Sequence, residues 1–87
     1  MLKVYLFKED GSSDCKSLEV ELERIEGGLP YEVIKASSSK GKLLSQQYGI
    51  LAIPTLIKVN SEGEVKAALA GYRYTRDVFE NFFEVPK

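Results

Sequence analysis

Two stretches of this 87-residue chain carry residue types able to do chemistry. The first is Ser12-Ser13-Asp14-Cys15-Lys16, which follows an apolar run from Leu2 to Phe7. Cys15 is the only thiol, and Lys16 stands beside it. A thiol near a helix start meets unsatisfied backbone N–H groups and the positive end of the helix dipole, both of which favour thiolate. On that reading Cys15 forms mixed disulfides with glutathione or a protein. On the other it is a small, inert, buried hydrophobe. Ser12 offers a hydroxyl, but the chain has no histidine to activate it, so it reads as a helix cap. The second stretch is Ile53-Pro54-Thr55. X-Pro is the bond type that tolerates cis at low cost, and a proline just before a strand forfeits no ladder hydrogen bond.

The same counts exclude other chemistries. One cysteine cannot close an internal disulfide, and with no histidine neither a zinc site nor a cysteine–histidine pair can form. Stability must come from packing, and a reducing cytoplasm is the expected setting. A formal net charge of -1 supplies no general pull toward nucleic acid or an anionic membrane. No apolar run reaches the roughly 18 residues of a membrane helix, and the N-terminus shows no signal-peptide pattern. Hydrophobic residues at 44% and charged residues at 29% fit one folded domain over residues 1–87, expected as a monomer.

Elements must then position the two stretches. Leu2 to Phe7 is apolar on both faces, which predicts a buried, central, parallel strand. Cys15, Leu18, Leu22 and Ile25 recur at steps of three and four and predict an amphipathic helix. Leu18 to Glu23 also alternates as a strand would. Helix is favoured by capping residues at 12–14, mostly good helix formers, and a stop at Gly27-Gly28. Leu29 to Ala36 predicts a second strand, with Pro30 tolerable at its start. A serine of 37–39 caps a helix carrying Leu43, Leu44, Gln47 and Tyr48, ended by Gly49. Thr55–Val59 and Glu64–Ala70 predict an antiparallel hairpin. Thr75 caps a last helix with Val78, Phe79, Phe82 and Phe83 on its apolar face. The order is βαβαββα: an α/β domain with a central mixed sheet of four strands flanked by three helices.

Cysteine and lysine at a strand-to-helix turn, then Tyr48-Gly49-Ile50-Leu51-Ala52-Ile53-Pro54-Thr55-Leu56 and a Gly-Glu-Val hairpin ending at Gly71, resemble the thioredoxin-like superfamily. The resemblance runs from Leu2 to about Phe83 and is closest to small proteins of the thioredoxin and glutaredoxin type. It lacks the extra N-terminal strand and helix of full-length thioredoxins. That superfamily uses C-x-x-C-K, and here the motif is S-x-x-C. Other positions depart as well. Leu6 stands where thioredoxins bury an aspartate, and Gly11 where they carry a tryptophan. Ser13-Asp14 fills the motif's interior, Ile53 replaces a glutathione-contacting threonine, and no paired aspartates follow Gly71.

The resemblance implies a site. Ser12 takes the nucleophile position and Cys15 the resolving position. A cis-Pro54 lies against them, and Ile53, Pro54, Thr55, Gly71 and Tyr72 line a groove for an extended peptide of a protein partner. Arg73 and Tyr74 join the rim. No metal or resident cofactor is implied. Glutathione is the one co-substrate it admits, with Lys8, Lys40 or Lys42 facing its carboxylates. Two functions follow: a thiol–disulfide redox protein whose dithiol cycle is blocked by Ser12, natural or engineered, or a non-catalytic peptide-binding module.

Overall fold

The computed structural model describes residues 2–86. β1 (Lys3–Lys8) leads into α1 (Ser13–Glu23), followed by β2 (Tyr31–Lys35) and α2 (Ser39–Tyr48). β3 (Thr55–Val59) and β4 (Val65–Ala70) form the hairpin, and α3 (Arg76–Phe82) closes the chain. The sheet has four strands in the order β2-β1-β3-β4, with β1 parallel to β2 and antiparallel to β3. The apolar first strand therefore does lie inside the sheet.

Alternation along β1 divides the core into two. Val4 and Leu6 face the side covered by α1 and α3, where they pack with Leu18, Leu22, Leu56, Phe79, Phe82 and Phe83. Phe7 faces the other side with Ile34, Ile57 and Val59, and α2 covers it through Leu44 and Tyr48. Successive strand residues point to opposite faces, so a six-residue strand serves both cores at once. Lys58 shares the α3 side. Its amine donates to the Phe82 carbonyl at 2.8 Å and meets Glu84 at 3.1 Å, which ties β3 to the end of α3.

Two boundaries and one helix face differ from expectation. α1 stops at Glu23 rather than at Gly27, because Arg24 and Ile25 turn back onto the Glu21 and Leu22 carbonyls in a tighter final turn. The Arg24 carbonyl left over is taken by Arg76 at 2.7 Å. Ile25 thus lies outside the helix, yet still packs against the first core. β2 is shorter than Leu29–Ala36, since the Leu29 amide is committed to the Phe83 carbonyl at 2.7 Å. Leu43, expected on the apolar face of α2, is 68% exposed. α2 instead buries Gly41, where an added Cβ would collide with the Lys35 backbone carbonyl. The missing side chain lets the helix sit directly on the end of β2.

Candidate functional site

The turn after β1 delivers Ser12 to the N-cap of α1. Its backbone is extended (φ -81°, ψ 120°), and its Oγ accepts the Cys15 amide at 3.3 Å. The Ser12 carbonyl accepts the Lys16 amide at 3.2 Å and closes the first turn. One orphan donor of the helix, the Cys15 N–H, is satisfied by the Ser12 side chain, while the Ser12 carbonyl takes the first regular helical bond. Ser12 and Cys15 therefore share a single helical turn, three residues apart, but differ in access. Ser12 is half-buried, whereas Cys15 is 2% exposed and sits under the helix. Of the two sequence readings of Cys15, the geometry matches the buried hydrophobe. Leu6, where the resemblance would place an aspartate, is fully buried, so no carboxylate lies in the core at that position of β1.

A hollow of about 380 Å³ opens over this turn, lined among others by Lys8, Asp10, Ser12, Cys15, Lys16 and Glu19. Its charges are mostly paired. Lys8 bridges to Glu19, and Asp10 meets Lys35 at 2.9 Å. The hydrogen bond to Lys35 holds the Asp10 carboxyl below its ordinary range, and that to Glu19 raises the Lys8 amine. Lys40 lies elsewhere, bound to Glu32 at 2.8 Å. Of the lysines considered for a glutathione carboxylate, only Lys8 lines the hollow, and it already has a partner.

The second stretch arrives at the same end of the sheet. Phe7, the penultimate residue of β1, is in register with Thr55, and Thr55 with Ala70. The Ile53–Pro54 bond is cis, and Pro54 is buried. The Thr55 hydroxyl donates to the Ala52 carbonyl at 2.6 Å, and the Gly71 amide donates to the Pro54 carbonyl at 2.8 Å. Gly71 has φ +96°, a left-handed conformation that favours glycine, so the turn here depends on it. Ile53 turns its side chain into the second core, while its N–H and C=O find no hydrogen-bond partner among the described residues.

Beyond Gly71, Tyr72 packs partly against the first core, and Tyr74 stacks edge-on to Phe79 at 5.8 Å while its hydroxyl donates to the Ala70 carbonyl. Arg73 lies 5.4 Å over the Tyr72 ring and donates to its hydroxyl at 3.2 Å. That hydrogen bond raises the Arg73 guanidinium, and the Asp14 charge adds to it. Ser12, Cys15, Pro54, Thr55, Gly71 and Tyr72 thus occupy one end of the molecule. Sequence reasoning missed Leu51, which is 99% exposed. Sitting in the apolar run Ile50 to Ile53, it carries no signal that separates it from buried neighbours.

Among the described residues no group of acidic, histidine or cysteine side chains could hold a metal, and no helix is long and apolar enough to cross a membrane. No protein-family model and no curated protein matches the sequence. Solved structures do match. The germline-specific thioredoxin Deadhead of Drosophila melanogaster is 17% identical, with a TM-score of 0.74 over 95% of this chain and 78% of that one. A mutant thioredoxin of Halobacterium salinarum is 21% identical, with a TM-score of 0.73 over 95% and 72%. Thioredoxin f2 of Chlamydomonas reinhardtii is 23% identical, with a TM-score of 0.71 over 99% and 82%. The fold is thioredoxin-like. The S-x-x-C turn follows β1 and the Pro54 loop precedes β3, at the end of the sheet where Phe7 is in register with Thr55.

Proposed function

We propose that this domain is a thioredoxin-type thiol–disulfide protein in which the dithiol cycle stops at Ser12. The observation that carries the reading is the shared turn: Ser12 at the N-cap and Cys15 three residues on, at the C-terminal end of the central strand. In dithiol exchange a thiolate at the first position attacks a substrate disulfide and expels one substrate sulfur as thiolate. The second thiol then attacks the mixed disulfide and releases the other substrate sulfur. Two electrons pass to the substrate, and a disulfide remains in the protein. A hydroxyl at the first position can do neither half. Glutathione, as a small co-substrate, and a cytoplasmic setting accompany this reading.

A second reading, a non-catalytic peptide-binding module, is favoured by the burial of Cys15 and by the unpaired backbone of Ile53. An extended segment of a protein partner pairing with Ile53 would add a strand across the Pro54 turn. Both readings use the same groove, and they part on sulfur chemistry. Insulin reduction with dithiothreitol as donor, run on the chain and on Ser12→Cys side by side, separates them. The redox reading expects turnover in Ser12→Cys alone. Equal activity in the two forms would remove Ser12 from the nucleophile position.

A further inference from the structure

We infer that the partner of this groove is an extended peptide carrying an apolar side chain for Leu51 and a carboxylate for Arg73. The inference rests on the peptide-binding part of the proposed function and adds what the peptide must contain.

Leu51 is 99% exposed, yet its loop is pinned on both sides. The Ile50 amide donates to the Ser45 carbonyl at 2.8 Å, and the Ala52 carbonyl accepts the Thr55 hydroxyl at 2.6 Å. Ala52 beside it is also exposed. A leucine held out in water on a fixed turn contributes nothing to this chain's core. A partner that covers it gains the burial without ordering the loop first.

Arg73 supplies the charge. Lys3, Lys8, Lys35, Lys40 and Lys58 all reach carboxylates of the chain, whereas Lys16, Lys42, Arg73 and Arg76 appear in none of the ion pairs among the described residues, and of these four Arg73 is the one in the loop that follows Gly71. Its guanidinium is instead laid over Tyr72, which fixes the plane and leaves N–H donors for a carboxylate.

Reach is consistent with one ligand. Leu51 is three residues from Pro54, whose carbonyl touches the Gly71 amide, and Arg73 is two residues further on. Chain length alone bounds the separation at about 21 Å, which six or seven extended residues span. The unpaired Ile53 backbone lies between the two anchors along the chain.

The test is fluorescence anisotropy at low salt with labelled ten-residue peptides. The set crosses leucine or serine with glutamate or lysine, placed six residues apart in both orders. The peptide holding leucine and glutamate is expected to bind tightest. Leu51→Ser should weaken the leucine peptides about fivefold and leave the serine peptides unchanged. Arg73→Glu should weaken the glutamate peptides about fivefold and strengthen the lysine peptides. Both side chains are exposed, so melting temperatures should hold and confirm intact folds. Peptides that bind both variants as well as the original chain would overturn the inference and leave the groove standing. No binding of any peptide to the original chain would overturn the groove as well.

Discussion

The Ser12 hydroxyl oxygen accepts the Cys15 amide at 3.3 Å, so one residue of the S-x-x-C pair caps the helix that buries the other. The relationship makes Ser12 structural in this chain whatever its chemical history. Ser12→Ala removes the cap and should cost about 1 kcal/mol of stability. Ser12→Asp, which keeps an acceptor and suits the positive helix end, should cost much less. Urea unfolding of both variants checks the order, and an unchanged stability in Ser12→Ala would show that the cap contributes nothing.

Cys15 should resist alkylation in the folded protein. Its side chain lies under α1 in the run Cys15, Leu18, Leu22 that faces the sheet. Iodoacetamide labelling at neutral pH should be slow and should accelerate across the urea unfolding transition. Rapid labelling of the native protein would place the thiol at the surface and revive a monothiol mechanism.

Gly41→Ala should destabilise by about 1–3 kcal/mol, because the new methyl meets the Lys35 backbone rather than a movable side chain. Thermal unfolding measures it. A neutral result would mean that α2 can shift off the end of β2 without loss.

Acid should weaken the fold in one direction only. Asp10 and Glu32 are held below their ordinary values of 3.8 and 4.5, Asp10 by Lys35 and Glu32 by Lys40 and Lys3. A carboxyl depressed in the folded state binds fewer protons there than in the unfolded chain. Its stabilisation is therefore present above the unfolded pKa and lost as pH falls through the folded one. With no histidine, urea midpoints should stay level from about pH 5 to 8 and fall below about pH 4.5. The pairs are exposed, so added salt should shrink the acid effect. A midpoint that rises on acidification would contradict these pairings.

Much of this fold was legible because its signals are local. Ser12, Ser38 and Thr75 each cap the helix expected to follow them, and each side chain accepts the amide three residues on. The central position of β1 followed from apolar residues on both faces. What escaped depends on tertiary contact. The early end of α1 is set by its own tightened last turn and by Arg76, and the short β2 by the Phe83 carbonyl. Leu43 reads as a core leucine, but the approach of Gly41 to Lys35 turns it outward. At the site, the pairing of Lys8 with Glu19 and the exposure of Leu51 are set by the tertiary fold, since neither leaves a periodic trace.

The central claim is that positions 12 and 15 form the two ends of a disabled exchange pair. It is tested most directly by oxidising Ser12→Cys with glutathione disulfide and reading the intact mass. The account predicts an intramolecular disulfide between the introduced thiol and Cys15: loss of two hydrogens, no added glutathione, a monomer, and full reversal by dithiothreitol. A stable glutathione adduct on the introduced thiol, with Cys15 still free, would show that the two positions cannot meet and would contradict it.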